Sequence, residues 1–287
     1  AAIDFGESRT VELTVDAVCA AATARTGLDD FGPDDFRERL DVQLDEVNAD
    51  DERTGIGRMV VFGDCVRYAA NRLRIHALLE EHPEILEVPI ERPVIVIGLP
   101  RSGTTNLVNL LAADSRFRSM PLWESYEPVP DPTEARGADG VDPRWTRCDE
   151  AWSLMQQAAP FVAAMHPMEP DHVHEEIELQ LPDFSSYNTE WTCRAPQWRD
   201  YYLAHDQTPH YEYLKRVLQV CTWLRNRDDP QCRWVLKSPQ HLEQFPVLAE
   251  VFPDPGDHAG RLETSLLLPL RPEWVEIPLR GIHDQLA

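Results

Sequence analysis

The sequence predicts an α/β fold, and three stretches carry that prediction. Residues 93–114 read PVIVIGLPRSGTTNLVNLLAAD: a β-branched run at 94–97, a glycine-bearing loop at 98–104, then a helix. In that helix Leu107, Leu110 and Leu111 recur at i, i+3 and i+4, one face of a 3.6-residue period. Residues 233–237, RWVLK, form a second short apolar run, and Ser238-Pro239 after it supplies an N-cap and a proline for the first helical position. Ahead of both, residues 11–90 read as helices. Together these give a P-loop-type parallel sheet flanked by helices, with a helical N-terminal lobe over 1–90 and the α/β domain over 91–287.

The elements follow in chain order. An alanine-rich helix over 13–25 ends at Gly27, a plausible C-cap. Gly32-Pro33-Asp34 opens a second, with Phe36, Leu40, Leu44 and Val47 on one face, and a third runs over 56–81 and stops before Pro83. Pro89 and Pro93 mark entry into the sheet. After the loop helix, 117–123 is the next expected strand, delivering Glu124 to its carboxyl end. Residues 126–143 are rich in proline, glycine and acid and form a loop. Helices are expected over 144–164, 211–225 and 239–251. Trp191, Trp198, Tyr201, Tyr202 and Tyr211 either line an apolar ligand pocket or belong to the core.

A length of 287 residues suffices for one large α/β domain with a helical annex. The net charge of −23 argues against nucleic acid or an anionic membrane as a partner, so an anionic ligand needs a local basic site. Lysine occurs only at Lys215 and Lys237. The cysteines Cys19, Cys65, Cys148, Cys193, Cys221 and Cys232 show no C-x-x-C pairing, as expected of reduced thiols in a cytoplasmic protein. No basic and apolar leader is visible at the N-terminus and no run of about 18 apolar residues exists, so neither a signal peptide nor a spanning segment is expected.

The loop departs from the Walker A pattern where the chemistry lies. Gly98 and Gly103 have the Walker spacing, but Thr104 stands where the phosphate-binding lysine belongs, and Arg101 is the loop's only cation. Such a cradle suits a 5′-phosphate carrying one transferable group better than a magnesium nucleoside triphosphate. The alternatives are a degenerate triphosphate loop and a turn that binds nothing. Open α/β sheets bind ligands beyond the carboxyl ends of their strands, which is where Arg101, Glu124 and Lys237-Ser238 are expected. Two cations, two helix N-termini and one carboxylate fit transfer of an anionic group to a hydroxyl. His166, His172, His174, Glu175 and Glu176 lie close in sequence, but the spacing of His172 and His174 does not favour a shared metal. That segment reads as a pocket wall or a helix start, with His172 a reserve candidate for the base.

GLPRSGTT, the Trp123-Glu124 pair, HPMEPDHVHEE at 166–176 and WVLKSPQHLE at 234–243 resemble the bacterial sulfotransferases that use 3′-phosphoadenosine 5′-phosphosulfate (PAPS). The resemblance covers about residues 92–254 and implies a transferase moving a sulfuryl group from PAPS, as co-substrate, to a hydroxyl or amine of a small or lipid-like acceptor. By that resemblance Arg101, Ser102, Gly103, Thr104 and Thr105 hold the 5′-phosphosulfate. Glu124 stands at the place of the catalytic glutamate, and Lys237, with Ser238 beside it, contacts the sulfate or bridging oxygen. The resemblance breaks at the tail. Residues 255–287 lack the Arg-Asp-Pro segment and later serine that hold the cofactor's 3′-phosphate, as in a truncated or frame-shifted C-terminus. Two rivals follow: a small-molecule P-loop kinase, and an inactive remnant that binds a nucleotide or a partner. Acceptor identity and oligomeric state are not legible.

Overall fold

The computed structural model describes residues 13–137, 140–165, 168–225 and 232–253; the atypical tail and His166 lie outside them. Helix α1 (Val15–Thr26) begins where Thr14 Oγ1 accepts the Ala17 amide and ends at Gly27, whose φ of 71° is a left-handed cap. Helix α2 (Phe36–Ala49) buries Phe36, Leu40, Leu44 and Val47, the face the spacing predicts. Helix α3 (Gly55–Glu81) is capped by Thr54 and stops two residues before Pro83. These helices share their core with Leu181, Phe184, Trp198 and Tyr202 from much later in the chain.

Strand β1 (Val94–Val96), helix α4 (Thr104–Ala112), strand β2 (Phe117–Arg118) and the short helix α5 (Leu122–Tyr126) follow. Then come α6 (Pro143–Ala158), α7 (Pro160–Met165), α8 (Asn188–Cys193), α9 (Pro196–Ala204), α10 (Thr208–Arg225), strand β3 (Arg233–Lys237) and α11 (Phe245–Val251). The three strands are parallel in the order β1-β3-β2. Four of the five β3 residues are buried, as befits a central strand covered on both faces. Val235 packs with Val96 and Val108 of α4 on one side, and Trp234 and Leu236 pack against α10 and α11 on the other. The predicted parallel sheet flanked by helices is thus the observed fold.

Three expected boundaries need correction. The strand over 117–123 ends at Arg118, and Glu124 sits instead in the first turn of α5. The helix over 144–164 is two helices, because Pro160 has no amide to continue α6 and starts α7. The helix from Pro239 is a 3₁₀ turn (Pro239–Leu242) and then α11, which restarts with Pro246 in its first turn.

Candidate functional site

The register of the sheet sets up the site. Val96 pairs with Lys237, so the strand that feeds the loop and the strand that carries the lysine end at the same level. Between β1 and α4 the loop curls tightly. Arg101 has φ 67° and Gly103 φ 93°, while the Ser102 amide and hydroxyl both donate to the Leu99 carbonyl, at 3.2 and 2.6 Å. A methyl group on Gly98 would lie 2.7 Å from Thr104 Cγ2 and 3.0 Å from Ser102 Oγ, so a side chain there would force these two side chains to shift. Gly103 caps α4 without a side chain, which leaves the amides of the first turn for an anion. The Arg101 side chain is exposed and has no ion-pair partner among the described residues.

Lys237 meets this loop from the side. It is 4% exposed; its Nζ donates to Thr105 Oγ1 at 3.3 Å and contacts the Glu175 carboxylate. Its backbone amide donates to Glu176 Oε2 at 2.6 Å. Glu176 is fully buried, and its Oε1 lies 2.5 Å from His241 Nε2, while His241 Nδ1 lies 2.9 Å from the Tyr211 hydroxyl. Burial alone would raise the Glu176 pKa, but His241 and the amides outweigh it and hold the carboxyl below its usual range. An ionised Glu176 accepts the hydrogen bond that His241 Nε2 donates. This buried chain pins the end of β3 from behind.

Residues 172–175 run from beside Pro121 toward the end of β3, and Glu175 is the N-cap of a 3₁₀ helix (Glu176–Asp183). The His172 carbonyl accepts the Leu122 amide at 2.9 Å, Val173 bridges to Pro121, and the His174 amide donates to Met120 at 2.7 Å. Of the two expected readings of this segment, the structure has the helix start, since the stretch at 172–175 leads directly into the 3₁₀ helix. His172 and His174 have rings 6.1 Å apart, and no group of metal-holding residues occurs among the described residues.

Glu124 is placed differently from the loop and the lysine. Arg225 Nε donates to Glu124 Oε1 at 2.8 Å and Nη2 contacts Oε2, while Arg225 Nη1 donates to the Ser119 carbonyl at 3.0 Å. Burial opposes the charge of Arg225, yet Glu124 outweighs it and raises the guanidinium pKa. A cleft of about 680 Å³ opens beside this pair, with Trp123, Arg144 and Asp171 among its walls.

Arg101, Ser102, Gly103, Thr104, Thr105 and Lys237 are thus brought together. Glu124 engages Arg225 rather than any of them, and Ser238, fully buried, accepts the Gln240 amide at 3.2 Å as the expected cap. Trp198, Tyr202 and Tyr211 are core, while Trp191 is exposed. What sequence reasoning did not foresee are the contacts of Glu175 and Glu176 with Lys237 and of His241 with Glu176 and Tyr211. Glu175 and Glu176 lie in the segment read as a pocket wall or a helix start, too short a run for its period to decide between the two.

Residues 93–256 match the sulfotransferase family. No curated protein matches the sequence significantly. Among solved structures, the chain is similar to sulfotransferase STF1 from Mycobacterium tuberculosis H37Rv, with 31% identity over 84% of this chain and a TM-score of 0.72. It is similar also to sulfotransferase STF9 from Mycobacterium avium, with 32% identity over 85% of the chain and a TM-score of 0.72. The chain spans 65% of the first and 62% of the second, less than two thirds of either.

Proposed function

Because the chain belongs to the sulfotransferase family, we propose that it moves a sulfuryl group from PAPS to a hydroxyl or amine of a small or lipid-like acceptor. The observation that carries this reading is Lys237 Nζ, 3.3 Å from Thr105 Oγ1 in the first turn of α4. It sets a second cation against an uncapped helix start whose loop holds Arg101. In the proposed reaction the acceptor oxygen or nitrogen forms a bond to sulfur as the bond from sulfur to the 5′-phosphate oxygen breaks. The leaving phosphate keeps the electron pair, and a carboxylate takes the acceptor's proton. Ser102, Gly103, Thr104 and Thr105 would hold the 5′-phosphate through amides and hydroxyls, with Arg101 as counter-charge. Lys237 would stabilise the bridging oxygen, and Ser238 would contribute its placement of the β3 end. The resemblance gives the base to Glu124. In this reading the division of the chain at residue 90 separates a packing lobe from the part that holds the nucleotide.

Positioning and charge stabilisation would carry such a transfer, with no metal in the loop's design. Radiolabelled PAPS incubated with the protein in excess chelator should release its sulfuryl group at an undiminished rate, and ATP should not be consumed. Consumption of ATP that the chelator abolishes would move the reading to a kinase. Nucleotide binding without turnover would move it to an inactive remnant.

A further inference from the structure

A second cleft shares no residue with the loop, with Lys237 or with the cleft beside Glu124. It holds about 320 Å³ and lies among α2, α9 and the start of α10, with Trp198, Tyr201 and Tyr202 in its wall. A volume of this size suits a small molecule. We propose that the cleft binds a small organic ammonium, an amine with an apolar body, independently of the sulfuryl-transfer reading. The ammonium donates a hydrogen bond to His210 Nε2 and takes its counter-charge from Glu38 and Asp206.

His210 supplies the polar end of the site. It is 8% exposed and lines the cleft, and its Nδ1 lies 2.6 Å from Asp183 Oδ2. Arg39 Nη2 and Arg72 Nη1 both donate to Asp183 Oδ1, which keeps that carboxyl ionised. An ionised carboxylate only accepts, so Nδ1 carries the proton. The other ring nitrogen, Nε2, has no hydrogen-bond partner among the described residues. In the neutral ring it is a lone pair turned away from Asp183, and an N–H from a ligand is what it lacks.

The surrounding charges set the sign of the ligand. Arg39 stands in the wall, but its donors are spent on Asp35 and Asp183. Glu38 is exposed and accepts the Tyr201 hydroxyl at 3.1 Å, and Asp206 is exposed and accepts the Thr208 amide and hydroxyl. Neither carboxylate has an ion-pair partner among the described residues. Two such carboxylates beside aromatic rings favour a cation, through their charge and through the ring faces. Tyr201 stacks on His205 with centroids 4.0 Å apart and Trp198 on Tyr202 at 5.4 Å, so the wall is preformed. A neighbouring cleft of about 530 Å³ shares His210, but Arg72 and Arg216 stand in its wall and disfavour a cation there.

Calorimetric titration of the whole chain with 2-phenylethylamine tests the site, against 2-phenylethanol and phenylacetate, which keep the body and change the charge. The amine should bind at least about tenfold tighter than either. His210→Asn keeps an N–H for Asp183 and removes the lone pair, and should weaken the amine by about tenfold or more. Glu38→Gln, at an exposed position, should weaken it by about two- to fivefold. Asp206→Asn, whose amide oxygen still accepts from Thr208, should do the same. Thermal melting reports the folding of each variant, and if His210→Asn does not fold, the two exposed positions decide the outcome. Equal affinity for the three probes, or no binding of the amine at millimolar concentration, overturns the site. So does an amine affinity that no variant lowers, since general attraction to a chain of net charge −23 would then account for it.

Discussion

Arg225 closes on both carboxylate oxygens of Glu124, with Nε donating to Oε1 at 2.8 Å and Nη2 to Oε2. The pair ties the last turn of α10 to α5, and a third bond from the same guanidinium reaches the Ser119 carbonyl. Its energetics are those of a partly buried ion pair, since Glu124 is 6% and Arg225 25% exposed. Removing one charge leaves the other with its desolvation uncompensated.

Glu124→Gln should therefore act first on stability. Losing a hydrogen-bonded charge partner costs about 1.5–3 kcal/mol, toward the lower figure here because water reaches Arg225. Urea denaturation of Glu124→Gln and Arg225→Ala should show similar losses, and the double variant should lose less than their sum. Additive losses would mean that the contact carries no coupling energy.

Gly98 offers a test of the loop apart from the fold. An alanine there would place its methyl 2.7 Å from Thr104 Cγ2, nearer than side-chain carbons approach. The Thr104 and Ser102 side chains would have to shift, disturbing the groups expected to hold the phosphate. Gly98→Ala should weaken binding of 3′-phosphoadenosine 5′-phosphate by about tenfold or more, or 1.4 kcal/mol. The melting temperature should change little, because Gly98 packs against the loop alone. Unaltered affinity would show that the nucleotide is not held by this loop.

How far the sequence could be read depends on how local each cause is. Gly27 carries its meaning within a turn of chain, and the helix end it sets is the observed one. The same is true of Phe36, Leu40, Leu44 and Val47, whose period alone fixes the buried face. Lys237 could be placed because strand, cap and proline follow one another at the carboxyl end of β3. The destination of Glu124 was hidden, since Arg225 is about a hundred residues away in sequence and nothing local marks it as a partner. The Tyr211–His241–Glu176 chain was hidden for the same reason: three segments contribute one residue each.

In the proposed reading the loop and Lys237 hold the 5′-phosphate, and residues 255–287 lack the segment that the family resemblance leads one to expect at a 3′-phosphate. This chain should then bind 3′-phosphoadenosine 5′-phosphate little better than adenosine 5′-phosphate. Each charge-assisted hydrogen bond to a 3′-phosphate would add about 1.5–3 kcal/mol, so without them the preference should stay below about tenfold. Titration calorimetry with both ligands at one salt concentration measures it. A preference near a hundredfold would mean that other residues rebuild the second phosphate site.

Asp183 links the helices of the lobe to α10 and sets how stability depends on pH. Its Oδ1 accepts Arg39 Nη2 at 2.8 Å and Arg72 Nη1 at 2.9 Å, and its Oδ2 lies 2.6 Å from His210 Nδ1. All four side chains are at most 10% exposed. Burial by itself would raise the carboxyl pKa of Asp183, but the His210 hydrogen bond and the charges of Arg39, His210 and Arg72 outweigh it and lower the pKa. A carboxylate whose folded pKa lies below its unfolded value of about 3.9 stabilises the fold above that value. The stabilisation fades as pH falls from there through the folded pKa. Asp183→Asn takes the buried anion from two buried guanidiniums, of which Arg39 keeps Asp35 at 2.8 Å, and should cost about 3 kcal/mol near neutral pH. The gap between wild type and variant should shrink below about pH 4, where the wild-type carboxyl also becomes neutral. Urea unfolding of both proteins across that range decides the matter. A gap that stays constant down to the lowest pH at which both remain folded would mean that shape, not charge, is what Asp183 supplies.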